Sequence, residues 1–131
     1  MPKRKVAVIL FYDNAGQVLL QERKNHSKFG EVWAFFGGGI EKDETPEQAL
    51  QREIFEELEY TITNYEYIGV YANIRQLFMS PIENKQEKFI QHEGSGMKLF
   101  SIKEAKKLKF MPGDVDALLL AGEKLKELKI I

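Results

Sequence analysis

The sequence contains no cysteine. That excludes a disulfide framework, a thiolate nucleophile and cysteine-ligated zinc. Histidine is scarce too, at two residues, so a metal ion held by this chain would rely on oxygen donors or on those two imidazoles. Charge of one sign is missing: 19 basic residues stand against 20 acidic ones, a formal net charge of −1. Nothing in that balance favours electrostatic capture of a DNA or RNA polymer. No run approaches the roughly 18 apolar residues of a membrane-spanning helix, so no membrane partner is expected. The opening MPKRKVAVILFY places basic residues before an apolar run, but it passes into Asp13-Asn14 without the small residues of a cleavage site. It reads as a β-strand, and a cytoplasmic protein is the expectation.

What remains is ordinary globular material. The chain has 131 residues, 44% hydrophobic and 30% charged. A chain of that length buries roughly two-thirds of its unfolded surface without staples. One domain over residues 1–131 is expected, as monomer or homodimer, with no repeat, linker or low-complexity tract.

Local patterns predict the elements. Residues 5–12 form an apolar, β-branched strand, Asp13-Asn14-Ala15-Gly16 has turn chemistry, and 17–23 resumes as a strand, giving a hairpin. Residues 24–31 read as a loop, 32–36 as a short aromatic strand, and Gly37-Gly38-Gly39 as a turn. Thr45, Pro46 and Gln48 carry a capping box with proline at the first helical position, which predicts a helix over about 46–59. Strands are predicted at 60–72 and 74–81 with a turn between them, and at 89–92 and 97–100 around Glu93-Gly94-Ser95-Gly96. Ser101-x-x-Glu104 is a second capping box, and Pro112-Gly113-Asp114 opens a last helix to about 128. Strands with helices inserted suggest an α+β or α/β sandwich, with helices on both sides of a mixed sheet.

Chemistry concentrates in GGGIEKDETPEQALQREIFEELEY, residues 37–60. At about 100° per residue, Glu53, Glu56 and Glu57 share one face of the helix, beside a stripe of Leu50, Ile54 and Leu58. The stripe packs on the sheet and the carboxylates line its edge. Gathered carboxylates repel one another, and burial makes them resist ionisation. A divalent cation reverses that balance, and hard ions such as Mg²⁺, or Mn²⁺, suit oxygen ligands and phosphates. Glycines before the helix let the backbone approach a ligand closely. Arg52 points about 100° from Glu53 but can reach it with a bidentate hydrogen bond. Taken singly, a Glu-rich helix face is a solvated surface and a glycine run is a turn.

The spacing adds more. The stretch resembles the Nudix box, G-x5-E-x7-R-E-U-x-E-E-x-G-U with U a bulky aliphatic residue, through Gly38, Glu44, Arg52-Glu53, Ile54 and Glu56-Glu57. It departs where Glu59 replaces the glycine and Tyr60 the aliphatic residue, and Phe36 and Asp43 replace a proline and a glycine common around the loop. None of these positions supplies a carboxylate. The resemblance implies an α/β/α sandwich of the Nudix (MutT-like) type. It implies a hydrolase in which water attacks phosphorus in a nucleoside diphosphate-linked compound. The substrate would be a nucleoside triphosphate (a damaged purine nucleotide among them), a dinucleoside polyphosphate or a nucleotide sugar. Carried over by position, Glu56 and Glu57 become the main ligands of Mg²⁺ or Mn²⁺, with the carbonyl of Gly37 or Gly38. Glu53 becomes a general base or a further ligand, Glu44 a ligand acting through water, and Arg52 the group that orients Glu53. In similar proteins an arginine at the place of Arg23 often contacts phosphate, a surface arginine capping a strand being the alternative, and in several of them a late glutamate, here Glu93 with Glu87 as competitor, is a ligand or base. Asp114 lies near where purine-reading relatives place an asparagine, although a helix N-terminus also favours a negative charge there. Phe35, Phe78 and Trp33 are candidates for stacking on a base, with core packing the alternative for each.

Two other classes stay open. A nucleotide sensor without turnover on the same fold would be marked by loss of Glu53, Glu56 or Glu57, and all three are present. An isomerase on that scaffold would need a reactive cysteine, which is absent.

Overall fold

Val6–Tyr12, VAVILFY, is apolar on both alternating faces, a pattern suited to a central strand covered on both sides. The computed structural model, which describes residues 5–26, 30–82, 88–91, 96–111 and 113–131, uses it that way, as β1. β1 pairs in parallel with β6 (Arg75–Pro81), from Val6 opposite Arg75 to Tyr12 opposite Pro81. It pairs antiparallel with β2 (Gln17–His26) and β4 (Phe36–Gly39). β2 carries β3 (Gly30–Ala34) and β7 (Gly96–Ser101), and β6 carries β5 (Glu66–Tyr71), all antiparallel. The result is a seven-stranded mixed sheet. The β1–β2 turn closes as its residues require: Asp13 Oδ1 accepts from the N–H of Ala15 (3.0 Å) and Gln17 (2.8 Å), and Gly16 has φ 78°.

β1 distributes its side chains to two cores. Ala7, Ile9 and Phe11 pack under α1 (Pro46–Leu58), where Leu50, Ile54 and Leu58 are fully buried at the predicted stripe. Val8 and Leu10 meet Ala117, Leu118, Ala121 and Leu125 of α3 (Val115–Glu127), with Ala105 of the short α2 (Ile102–Ala105) on the same side. Helices therefore cover both faces of the sheet. Each buried leucine or isoleucine contributes roughly 1.5–3 kcal/mol, so the stripe fixes which face of α1 looks outward. Both capping boxes form, at Thr45/Gln48 and at Ser101/Glu104. α1 stops one residue earlier than predicted because Glu59 turns left-handed, φ 50°. That conformation favours glycine and costs a side-chain-bearing residue about 1–2 kcal/mol.

The structure corrects several predicted elements. The glycine run is a strand, not a turn: Gly39, Gly38 and Gly37 lie opposite Val6, Ala7 and Val8. Glycine is needed at Gly37, φ 137°, because a Cβ there would run into the β1 backbone at Ala7 and Val8. The aromatic strand predicted at 32–36 breaks at Phe35 into β3 and β4. Residues 60–65 form no strand, so β5 starts at Glu66, and Ala72 and Asn73 take positive φ in the turn to β6. Residues 89–91 form no strand either. Phe89 packs on Phe11 and Tyr60, and the Ile90 N–H donates to the Leu58 carbonyl (2.9 Å), so this segment covers the end of α1. Glu87, Glu93 and Pro112 lie outside the described residues. No helix of the described residues is long and apolar enough to cross a membrane.

Candidate active site

The acidic edge of α1 is organised by one guanidinium. Arg52 Nε and Nη2 donate to the two carboxylate oxygens of Glu44 (2.7 and 2.9 Å), a bidentate bond. Nη1 donates to Glu53 Oε1 (2.9 Å) and lies 3.5 Å from Glu56 Oε2, and Nη2 also donates to the Gly39 carbonyl (3.0 Å). Arg52 thus ties the loop before α1, the end of β4 and the carboxylates of the helix. The Glu44 hydrogen bonds hold its pKa far above the ordinary value, overriding the opposing effect of burial, so it is a permanent cation. Glu44 accepts in addition from the Glu41 N–H (2.8 Å), which fixes the loop that carries it.

Glu57 is the most enclosed of the acids, 3% exposed, and its Oε2 accepts from the Gly37 N–H (3.1 Å). Gly38 lies directly against Glu53: a Cβ there would collide with that carboxylate. The glycines of β4 therefore bring bare backbone to two glutamates of α1. Glu56 stands further out, its side chain 58% exposed.

The donor set fits a hard divalent ion. It is all oxygen, it contains more carboxylates than the single guanidinium shared by Glu44, Glu53 and Glu56 balances, and the missing Gly38 side chain leaves room for a carboxylate against the backbone. Among the described residues, no three histidine, aspartate or glutamate side chains are gathered closely enough to hold a metal ion as they stand.

The other predicted residues divide between the two faces of the sheet. Arg23 is exposed near the end of β2 and alternates onto the α1 face with Leu19. Phe35 is on the opposite face, stacked on Phe110 at 5.7 Å and edge-on to Tyr71 at 6.4 Å. Trp33 lies edge-on to Phe100 there. Phe78 is 1% exposed in the α1-side core, between Tyr65 and Tyr67. The structure does not bring it to Phe35, and its burial leaves no face for stacking on a base. Asp114 precedes α3, but its side chain makes no cap bond; it is buried and ion-paired with Arg75 instead. Tyr71 completes this group, with Arg75 Cζ 5.9 Å from its ring centre.

Sequence reasoning missed Arg75, Tyr71 and Gln21. A buried aspartate demands a partner, but Arg75 is distant in sequence and nothing local announces the pairing. Gln21 had no local signal either: it opens the polar run Gln21-Glu22-Arg23-Lys24, which reads as a solvated strand end.

Burial pushes the Asp114 carboxyl up to about 6, against the pull of Arg75. The same burial, and next the Asp114 charge, raise the Tyr71 hydroxyl. Because the folded protein holds the Asp114 proton more tightly than the unfolded chain, this group's contribution is greatest below pH 4 and is lost as pH rises to about 6. Asp114→Asn removes that titration. The stability of the wild type relative to Asp114→Asn should fall by about 2 kcal/mol between pH 4 and pH 7. Urea unfolding of both proteins across that range checks it; a constant difference would show that Asp114 does not titrate there.

The chain matches the NUDIX domain family over residues 1–120. It is 32% identical to the CTP pyrophosphohydrolase of Escherichia coli (strain K12) over 118 residues, 86% of each chain. It is 36% identical to an 8-oxo-dGTP diphosphatase of Proteus vulgaris over 75 residues, 56% of this chain and 67% of that one. In fold it is similar to a mutT/nudix family protein from Listeria innocua, with a TM-score of 0.79 at 20% identity, covering 99% of this chain and 98% of that one.

Proposed function

The chain belongs to the NUDIX family, and on that premise we propose that it hydrolyses a pyrophosphate bond of a nucleoside triphosphate or related nucleoside diphosphate-linked compound, using Mg²⁺ or Mn²⁺. The observation that carries this reading is the acidic edge of α1, where Arg52 binds Glu44 and Glu53 while buried Glu57 holds the Gly37 N–H. Glu53, Glu56 and Glu57 would hold the cation, together with the Gly37 or Gly38 carbonyl; Glu93 is assigned to the set from sequence alone. Bound there, such a cation would neutralise pyrophosphate charge and lower the pKa of water.

The chain's own residues do the rest. Arg52 fixes the Glu53 rotamer, so Glu53 can accept a proton from an attacking water without first reorganising. Glu44 holds Arg52 from the opposite side and keeps that alignment. Arg23, exposed on the α1 face, offers a cation to the phosphates. Phe35 and Asp114 keep their assignment to the base from the resemblance alone: both are buried on the other face of the sheet, Phe35 against Phe110 and Tyr71 and Asp114 against Arg75. Phosphoryl chemistry asks for positioning and charge stabilisation, and a chain without cysteine supplies both.

The relatives' names guide the substrate test. CTP, dCTP, 8-oxo-dGTP, a dinucleoside polyphosphate and a nucleotide sugar are incubated with the protein and Mg²⁺, and both products of each are identified. Cleavage of a triphosphate to a nucleoside monophosphate and pyrophosphate is expected. Binding without turnover of any member, with Mg²⁺ or Mn²⁺, would instead establish a nucleotide sensor.

A further inference from the structure

Gln21 is a polar residue where the sheet calls for an apolar one. Along β2, Leu19 packs in the α1-side core and Leu20 in the α3-side core, so Gln21 shares the α1 face. It sits between Ala34 of β3 and Met97 of β7 and is 1% exposed. Its Nε2 donates to the Phe35 carbonyl (3.0 Å), while its Oε1 is buried and has no hydrogen-bond partner among the described residues.

The location gives the amide a purpose. Phe35 is the single residue between β3 and β4, the corner where the chain leaves one strand pairing for another. Gln21 ties that corner down. Immediately beyond it, the Gly37 N–H meets Glu57, Gly38 lies against Glu53, and the Gly39 carbonyl accepts from Arg52. The position of the corner thus sets where the glycine backbone crosses the acidic edge of α1. A leucine would fill the same space without a buried, unbonded oxygen, which is a costly feature in a folded protein. A side chain kept at that cost is explained by what its N–H donor does.

We propose that Gln21 is a positioning residue of the active site: by holding the Phe35 carbonyl it seats Gly37–Gly39 against Glu53 and Glu57, and so sets the cation affinity of the carboxylates. The inference rests on the hydrolase reading above and concerns only this chain's residues.

Gln21→Leu removes the donor and Gln21→Glu keeps the shape while removing the donor whenever the carboxyl is ionised. Free Mn²⁺ is counted by electron paramagnetic resonance on nucleotide-free protein, and kcat and KM are measured separately. The Mn²⁺ Kd should rise about tenfold in both variants at pH 8, with kcat lowered about tenfold and nucleotide KM within threefold of wild type, in the range found for groups that orient metal ligands. Relative to wild type at each pH, Gln21→Glu should recover as pH falls from 8 to 6, because a protonated carboxyl can again donate to the Phe35 carbonyl. A merely structural residue would lower the melting temperature and move neither the Mn²⁺ Kd nor the pH profile. Mn²⁺ affinity within twofold of wild type in the folded variants overturns the proposal, as does loss of fold in both. A wild-type protein that binds no Mn²⁺ overturns the underlying reading as well.

Discussion

Glu57→Gln should lower turnover about 10³-fold, roughly 4 kcal/mol of transition-state stabilisation, and leave the fold standing. Glutamine keeps the volume of glutamate and still offers an oxygen to the Gly37 N–H, so the link between α1 and β4 survives. Only the negative charge is lost. At a position 3% exposed, that charge has little water to solvate it, and its value must come from what it holds. Stability should not fall by more than a few tenths of a kcal/mol. It can even rise by that much, because Glu53 and Glu57 form a like-charge pair one helical turn apart. Initial rates with saturating Mg²⁺ and nucleotide, beside thermal melts of both proteins, separate the two effects. Activity within tenfold of wild type would remove Glu57 from the catalytic machinery.

α1 was legible in detail because several local signals agree. The Thr45/Gln48 box sets its start, Leu50, Ile54 and Leu58 set its buried face, and those two facts place Glu53, Glu56 and Glu57 on one edge. The Asp13–Gly16 hairpin was legible for the same reason. β4 was not, since three glycines carry no side-chain pattern and a strand made of them is identified only by the strand it lies against. Residues 60–65 and 89–91 misled because an apolar, aromatic segment can bury itself over a helix end without joining a ladder. Arg52 was read as reaching Glu53, and it does, but through one hydrogen bond, the bidentate pair going to Glu44. A helical wheel points its Cβ away from Glu53, yet the long side chain bends back to reach Glu44, Glu53 and Gly39 together. The Arg75–Asp114–Tyr71 group was invisible for a simpler reason: its members come from β5, β6 and the start of α3, and only the sheet brings them together.

Chelation carries the other large effect. EDTA should reduce hydrolysis below about 1% of the starting rate, and Mg²⁺ or Mn²⁺ added in excess should restore it, since a lost metal is worth several kcal/mol of transition-state charge stabilisation. The electrostatics of the site lead to that expectation. One guanidinium is divided among Glu44, Glu53 and Glu56, and Glu57 adds a further carboxylate within the same helical edge. Pyrophosphate brought alone to such an edge meets repulsion, so turnover is expected to need a cation of higher charge than Na⁺ or K⁺. The same reasoning yields a readout that needs no substrate. A cation that binds only the folded chain stabilises it by mass action, so Mg²⁺ at a hundred times its Kd should add about 2.7 kcal/mol to the unfolding free energy. NaCl at equal ionic strength should not reproduce this, because it screens the carboxylates without bridging them. Glu57→Gln should forfeit most of the Mg²⁺-dependent gain while keeping its melting temperature in EDTA. Full turnover in EDTA, or identical Mg²⁺ stabilisation of wild type and Glu57→Gln, would disconnect the acidic edge of α1 from the chemistry.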